Sequence, residues 1–373
     1  MDDIKKVLHV LMGIIGIEGG MVAAYFGVYR YQVGGTWLVV MTSVIGATVA
    51  LISSPLVKSL EYRVNNVRKM LFFSYVAFLL SDVVFLLGVM LQNKWIMLSN
   101  ALIWSPFTVA YSKALDYYPI SIVGLKNRAR IVSTRNLVMN LGMAVGALVS
   151  YFLYSKPLML IGTVMLLKTV IITLLATSMP DASILHSGGH ETVSIKNVFL
   201  SRPKLIMSFI GYFTVLLAVK AYTNARSPFI ADIFGPNNVA FATSFAFVVT
   251  AIGTKVLMRY TAHYGRIIAR TGWLLVLFVS IVLFDGKASY FILAVLGAAV
   301  FNTAVFSYRH YMMKKAPPEL THEVLHASSL MSIAAPLPLL LLKNVDIVVL
   351  AYASVAFAMA AVIIFAASKL VER

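Results

Sequence analysis

Four ionisable side chains lie inside long apolar runs of this sequence: Glu18, Asp82, Lys168 and Lys220. A charged side chain at the centre of a bilayer costs at least roughly 2.5–3.5 kcal/mol if it faces lipid. Such residues therefore face protein, water or one another, and they mark ion pathways, substrate sites or buried ion pairs. The chemistry that they offer is proton loading on a carboxylate or attraction of a charged solute by an ammonium group.

A second candidate for chemistry is His322-Glu323-Val324-Leu325-His326, which matches the pattern H-E-x-x-H. On a helix this spacing places two imidazoles on one face for zinc, with the glutamate as general base. The chain would then be an intramembrane zinc metalloprotease, which needs a third ligand. The one tempting match, Asp285-Gly286, is predicted about a membrane thickness away. A chance match or a role at a cytoplasmic gate is the simpler interpretation.

Other sequence features give no sign of metal or cofactor chemistry. There is no cysteine for a thiolate site. His186 and His190 flank two glycines, which argue against a helix that would preform a metal pair. There is also no Gly-Lys-Ser/Thr loop to cradle phosphates, so ATP is not expected to drive the protein directly. We expect neither a cofactor nor an enzyme.

The composition is that of a membrane protein. Of the 373 residues, 60% are hydrophobic and only 12% are charged, which excludes an ordinary soluble domain. The net charge of +17 does not indicate nucleic acid, because the positive residues lie in short loops between apolar runs and form no continuous patch. The lipid bilayer is the expected surrounding.

A membrane helix needs roughly 20 mostly apolar residues, and the sequence offers twelve candidates. They cover 7–27, 36–57, 70–91, 95–112, 131–154, 157–178, 205–225, 238–258, 267–284, 288–308, 324–342 and 345–367. The longest polar stretch, about 179–204, separates two halves, and its second part predicts a connector helix on the membrane surface. Pro336 and Pro338 predict a bend in the eleventh span.

The loop charges predict the orientation. Twenty-two Lys and Arg residues fall in loops on one side, and six fall on the other: Arg30, Lys94, Lys156, Arg226, Lys287 and Lys343. Positive residues collect on the cytoplasmic side, so both termini are expected inside the cell, in the cytoplasmic membrane. The first apolar run shows no clear cleavage site and is interpreted as a retained span.

Two basic loops lie 200 residues apart, each after the second span of its half. The first runs from Arg63 to Lys69 and contains Asn65 and Arg68, and the second runs from His263 through Gly265-Arg266 to Arg270. A fixed offset between matching elements indicates duplication, and duplicated six-span halves point to a transporter. Asn65 stands at the position that Gly265 holds in the second loop, and asparagine is the next-best residue for a left-handed turn.

With these loops and spans, the chain resembles a major facilitator superfamily transporter over essentially its whole length. The resemblance implies an all-α integral membrane protein with about twelve helices in two pseudo-symmetric six-helix bundles. The implied units are residues 1–178, a cytoplasmic linker at 179–204 and residues 205–373. The two basic loops are then cytoplasmic gate elements. Gly142-x-x-x-Gly146 resembles part of a glycine-rich antiporter motif, although close helix packing also explains it.

The resemblance also sorts the four ionisable residues. Asp82 and Lys168 fall on neighbouring peripheral helices, so we predict a structural buried pair. Glu18 and Lys220 fall on the repeat-related first and seventh helices, which should face the cavity. Glu18 could load and release a proton as Lys220 approaches and withdraws. The alternative is a static pair between the halves that closes one gate.

Polar and aromatic residues at helical spacing on cavity-lining helices are the candidates for substrate binding. They are Tyr25, Trp104, Thr108, Tyr111, Asn224 and Asn302. Each has a packing alternative, since aromatic side chains at this spacing commonly fill a helix interface. Asn302 is the better candidate, because a buried amide must find a partner.

The sequence therefore predicts a secondary transporter that moves a small organic solute by alternating access, with protons coupled through Glu18. A charged or zwitterionic substrate would suit the lysine and carboxylate pair, and the protein is expected to be a monomer. An uncoupled facilitator and a lipid or drug efflux protein of the same fold are the alternatives. The zinc metalloprotease is the alternative of another class.

Overall fold

The computed structural model describes residues 2–123, 128–181, 203–264, 278, 286–315, 328 and 330–371. The regular elements in these ranges are helical. They are α1 (Asp2–Val64), α2 (Val67–Met90), α3 (Lys94–Val123), α4 (Arg128–Tyr151), α5 (Pro157–Thr177), α6 (Pro203–Phe234), α7 (Asn238–Tyr264), α8 (Lys287–Lys315), a 3-10 helix (Leu337–Leu342) and α9 (Ile347–Val371).

Helix α1 contains both of the first two predicted spans. Its helical backbone is interrupted only at Gly35, where φ is 62° and ψ is −162°. Glycine reaches this left-handed region without steric cost, so the chain passes from the first span to the second at a single residue. The predicted outer loop around Arg30 is therefore wrong, because Arg30 lies within the helix. Arg226 is likewise inside α6, which continues to Phe234.

Several described helices have the length and apolar character of membrane spans. Four segments are long and apolar enough to cross a bilayer: Lys6–Val57, Val67–Met90, Pro157–Thr177 and Ile347–Ile364. Large apolar side chains face outward, as lipid contact requires, with Phe152 76% exposed and Leu341 87% exposed. The predicted count of twelve spans goes beyond these four, and the ninth, at 267–284, lies almost wholly outside the described residues.

The predicted bend at Pro336 and Pro338 is confirmed. Residues 330–334 are α-helical, 335–336 form a turn, and the 3-10 helix begins at Leu337. Proline has no backbone N–H and its ring clashes with the preceding turn, so the α-helix cannot continue.

The two helices α1 and α4 approach so closely that glycine is required at the contact. We call the residues Gly13, Gly16, Gly20, Gly142 and Gly146 the glycine seam. A Cβ atom added at Gly142 would lie 2.6 Å from the carbonyl oxygen of Gly13, and one added at Gly146 would overlap the backbone of Ile17. The predicted close packing is confirmed, and the seam fixes which face of α1 is turned away from α4.

A cluster of aromatic rings and one lysine marks one end of the molecule. Trp37 packs edge-on against Trp95 with ring centroids 5.5 Å apart, and Lys94 Nζ lies 5.2 Å from the Trp37 ring centre. Tryptophan prefers the interface between membrane and water. We use "outer end" below for the end that carries this cluster, which the loop charges predict to face out of the cell.

Candidate functional site

Three of the four intramembrane ionisable residues meet in one buried cluster. Lys168 Nζ lies 2.6 Å from Asp82 Oδ2 and 3.4 Å from Glu18 Oε1. The whole residues are 3%, 8% and 5% exposed for Asp82, Glu18 and Lys168 respectively. One ammonium therefore faces two carboxylates away from water. We call these three residues the charge triad.

The helices place the triad for reasons that can be read from the sequence. Gly16 and Gly20 face α4, and Glu18 lies two residues from each, so its side chain projects from the opposite side of α1. That side meets α5, which in turn packs against α2. Asp82 and Lys168 are near the middle of those two helices.

The two carboxylates of the triad are not equivalent. Asp82 accepts the shorter hydrogen bond from Lys168, and the cation of Arg30 acts on it as well. Glu18 is farther from the ammonium and adjoins a like charge on Asp82. Two carboxylates on one ammonium leave one negative charge without a direct partner, and protonating one carboxylate removes it. The arrangement favours Glu18 as the carboxylate that takes up a proton.

The charge triad agrees with one sequence prediction and differs from another. Asp82 and Lys168 lie side by side, in the contact that the sequence predicts, while their structural role stays a prediction. Glu18 was expected to work with Lys220, yet no ion pair within 4.0 Å joins these two described residues. In this conformation Lys168 takes the place that the hypothesis gave to Lys220.

Lys220 is partly buried in α6 and lacks an acidic partner among the described residues. The acidic side chains that the described structure places inside the apolar spans are Glu18 and Asp82, and both contact Lys168. Asp232, on the same helix, is exposed near its outer end. A lysine 17 residues from the start of α6 lies about 25 Å along the helix, too deep for its side chain to reach the inner surface.

Hydrogen bonds join the first and second halves of the chain near the outer end. Ser227 Oγ donates to the carbonyl of Ala23 over 2.6 Å, and Tyr25 Oη donates to the carbonyl of Pro236 over 3.1 Å. The hydroxyl of Tyr154 donates to the side chain of Asn237. We call this set the outer contact.

The outer contact continues inward to Asn224 and shows where Lys220 lies. Ser43 Oγ donates to Asn224 Oδ1 over 2.7 Å. Positions 220, 224 and 227 share one face of α6, and the latter two contact α1. Lys220 is one turn, about 6 Å, inward of Asn224. Position 220 therefore lies one turn inward of the hydrogen bond between Ser43 and Asn224.

The remaining substrate candidates fall into two groups. Tyr25 is fully buried, stacks on Tyr154 at 5.1 Å and forms part of the outer contact. Tyr111 packs within the first half, with its hydroxyl 3.4 Å from that of Tyr75, and Thr108 bonds its own helix at the carbonyl of Trp104. These contacts are those of side chains packed within the protein. A role of Tyr25, Tyr111 and Thr108 in binding substrate stays a prediction.

Trp104 and Asn224 differ from that group, because each has a buried polar atom without a partner among the described residues. The atoms are Trp104 Nε1 and Asn224 Nδ2, and both are N–H donors. The indole of Trp104 lies against Gly46, since a Cβ there would be 3.2 Å from the ring. Gly46 is three residues after Ser43, which donates to Asn224, so both side chains lie against the same stretch of α1.

The first basic loop forms a compact contact at the inner end. Asn65 has a φ of 40°, which confirms the left-handed turn predicted there. Arg68 reaches Asp181 at 2.8 Å and donates to the carbonyl of Met179, while Asn66 Nδ2 donates to Asp181 Oδ1 at 2.7 Å. The hydrogen bond from Asn66, followed by the charge of Arg68, lowers the pKa of the exposed Asp181 carboxyl.

Several predicted residues lie outside the described structure. They are Gly265 and Arg266 of the second basic loop, the H-E-x-x-H segment at 322–326, His186, His190 and Asp285; for Asn302 the helix is described but not the side chain. Arg63 is exposed at the end of α1. Among the described residues, no group of three His, Cys, Asp or Glu is placed to hold a metal ion.

Sequence reasoning did not anticipate the outer contact or the Asp181 partnership. Ser43 lies in the second predicted span and Ser227 just beyond the seventh, and hydroxyl side chains of this kind commonly bond their own helix. No sequence pattern linked either serine to the other half of the chain. Asp181 stood next to the seam between the halves, with no sequence pattern linking it to Arg68.

No family model and no curated protein matches the sequence. Solved structures do match the fold over nearly the whole chain. The nucleoside transporter NupG is 12% identical with a TM-score of 0.69, covering 97% of this chain and 99% of its own. A bacterial homologue of the iron transporter ferroportin, in an inward-facing state, is 14% identical with a TM-score of 0.71, covering 97% and 98%.

A D-xylose–proton symporter is also similar, with 13% identity, a TM-score of 0.68 and coverage of 96% of both chains. These structures have the major facilitator fold, and the likeness shows that this chain has the same fold. At such low identity, the comparison identifies the fold of this chain and says nothing about its substrate. The fold expectation from the two basic loops is confirmed at that level.

Proposed function

We propose that this chain is a secondary transporter of the cytoplasmic membrane that moves a small organic solute by alternating access and couples it to protons through Glu18. The fold supports transport, since the similar structures are a nucleoside transporter, a homologue of an iron transporter and a D-xylose–proton symporter. The coupling rests on one observation, the charge triad, in which Lys168 serves two carboxylates.

Proton uptake at Glu18 follows from the charge balance of the triad. With both carboxylates ionised, the three residues carry one net negative charge in a water-poor interior, and the cation of Arg30 acts on Asp82 only from beyond contact distance. A proton on Glu18 neutralises that charge, while Asp82 keeps the closer hydrogen bond to Lys168. Burial makes the difference between the two charge states costly enough to bias the conformation of the helices that carry them.

Glu18 also lies on the helix that forms the outer contact, so a change of its charge can affect that contact. The same helix carries Ala23 and Tyr25, which bond α6 and the segment after it. Opening the outer end requires these bonds to break. Protonation at Glu18 and separation at Tyr25 are thus linked through less than two turns of one rigid helix.

Lys220 would interact with Glu18 only in another conformation of the transporter. For Lys220 to approach Glu18, Glu18 must first separate from Lys168. The halves assigned to residues 1–178 and 205–373, joined by a linker at 179–204, would move relative to one another in that step. Both termini are assigned to the cytoplasm on the loop charges alone.

The test is substrate-driven proton movement in liposomes. The purified chain is reconstituted with a pH-sensitive dye inside, and carboxylic acids, sugars and nucleosides are added in turn. A coupled substrate changes the internal pH in the wild-type protein. In Glu18→Gln the pH signal should disappear, while exchange of labelled substrate continues, because the Asp82–Lys168 contact is left intact.

Asp232→Asn is the matched control, since it removes an exposed carboxylate near the outer end of α6. It should behave as wild type. Uptake without any pH signal in the wild-type protein would make the chain an uncoupled facilitator. A full pH signal in Glu18→Gln would place the coupling group elsewhere.

A further inference from the structure

Lys220 gives the chain a partly buried cationic site with no acidic counterpart among the described residues. The charge triad satisfies Lys168 internally, so that lysine is not available to a solute. Of the two lysines that the described residues place well inside a span, Lys220 is the one without an acidic partner. Maintaining a lysine at this depth is expensive unless an anion or water meets it.

Two buried N–H donors without a partner among the described residues accompany Lys220. One turn outward, Asn224 presents its Nδ2 amide nitrogen, because Ser43 already occupies its oxygen. Trp104 Nε1, an obligate donor, is buried without a partner near the same stretch of α1. A cation with two unused N–H groups calls for a ligand that brings acceptors and negative charge.

The position of Lys220 suits a transported ligand better than a fixed structural partner. It lies one turn inward of the last hydrogen bond between the halves, on the face of α6 that looks toward α1. A ligand held there would touch both halves at once. Ligands that bridge two moving units bind in such places, because closure around them can be coupled to their presence.

From this geometry we propose that Lys220, Asn224 and Trp104 form an anion site, and that the transported solute carries a carboxylate or a phosphate ester. Lys220 supplies the charge, Asn224 and Trp104 donate hydrogen bonds to the anionic oxygens, and the Trp104 ring offers an apolar surface to the rest of the solute. The proposal rests on the transporter function above and narrows its substrate class.

The first experiment measures binding in the absence of transport. The purified full chain in detergent is heated with matched pairs of probes: benzoate and benzamide, succinate and succinamide, glycerol 3-phosphate and glycerol. A ligand that binds the folded protein raises its unfolding temperature in a concentration-dependent way. The anion of at least one pair should stabilise the protein, and its neutral partner should not.

Substitutions then assign the effect to the site. Lys220→Gln should weaken the apparent affinity for that anion about tenfold or more, as expected for loss of a charge-assisted contact. Lys220→Arg should retain most of it, and Asn224→Ala and Trp104→Phe should each weaken it. Lys287→Gln removes an exposed lysine of α8 and should leave binding unchanged.

Carboxylate and phosphate probes separate the two sources of the anion. The proposal is overturned if no anion stabilises the protein more than its neutral partner, or if Lys220→Gln binds the anion as tightly as wild type. Liposome flux distinguishes this result from failure of the transporter function. Anion binding through Lys220 without flux leaves the site standing and contradicts transport, whereas flux of a neutral solute unaffected by Lys220→Gln does the reverse.

Discussion

Lys168 Nζ lies 2.6 Å from Asp82 Oδ2 across the interface of α2 and α5, and Glu18 approaches the same nitrogen from α1. The contact between the first two residues is the kind of pair that the sequence predicts. Glu18 changes the charge balance of the pair, because one ammonium group then faces two carboxylates. The stability of these helices therefore depends on three residues rather than two.

Lys168→Met should destabilise the protein more than Asp82→Asn. Loss of the lysine leaves two buried carboxylates with no cation in contact, whereas loss of Asp82 leaves Lys168 with Glu18. Removing one partner of a buried pair costs roughly 3–5 kcal/mol. Thermal unfolding in detergent checks the order of the two variants.

The same assay separates a triad from a simple pair. The Asp82→Asn, Lys168→Met double variant should recover only part of the stability, since Glu18 then has no cation. Adding Glu18→Gln should recover more. Full recovery in the double variant would show that Glu18 contributes nothing to the cluster.

Gly27→Cys with Ser227→Cys should form a disulfide when the protein is oxidised. A Cβ at Gly27 would lie 3.9 Å from Ser227 Cβ, within the range of about 3.5–4.5 Å that disulfides require. The chain has no cysteine of its own, so no competing bond can form. Mass spectrometry of the digested protein detects the bond.

The disulfide would hold the outer contact closed, so transport should stop and return after reduction. Gly162→Cys with Ser227→Cys is the control, because nothing lies within 4 Å of a Cβ at Gly162. Undiminished transport in the fully oxidised Gly27 variant would mean that the halves need not separate there.

Gly146→Ala should lower the unfolding temperature, whereas Gly162→Ala should keep or raise it. A methyl group at Gly146 would overlap backbone atoms of Ile17. Backbone atoms, unlike the end of a flexible side chain, cannot move aside. Overpacking of this kind costs about 1–3 kcal/mol. At Gly162 the added methyl group meets open space, and alanine is favoured over glycine in a helix by up to about 1 kcal/mol.

Asp181→Asn should reduce stability at neutral pH and cease to matter in acid. The folded state lowers the pKa of Asp181 below its ordinary value of 3.8, chiefly through the hydrogen bond from Asn66 and then through Arg68. Its contribution is therefore full above the unfolded pKa and is lost as pH falls through the lower folded pKa. Unfolding temperatures of wild type and variant, measured against pH, should begin to converge as the pH falls through about 4 and should meet only below the folded pKa.

Most of the fold could be predicted because apolar length is a strong signal in a membrane chain. The boundaries were less predictable, as Arg30 and Arg226 show. Both were assigned to outer loops because charge normally ends a span, yet both lie inside helices, with Arg226 only 8% exposed. Burial beside aromatic rings, such as Phe247 at 5.1 Å from Arg226, has no signature in a one-dimensional pattern.

The candidate site could be predicted only in part, for a geometric reason. Residue depth follows from counting along a helix, so Glu18, Asp82 and Lys168 could be placed at similar levels. Which face each residue turns toward depends on how the helices rotate about their axes. The glycine seam sets that rotation for α1, and it turns Glu18 toward Lys168 rather than toward Lys220.

The glycine seam also has a mechanical consequence. Where α1 and α4 touch, backbone meets backbone, and there are no long side chains whose rotamers could absorb sliding between them. The pair should therefore act as a single stiff beam, about 50 Å long on the α1 side. A push at its inner end, where α1 and α4 begin, would tilt the other end by leverage rather than by local rearrangement.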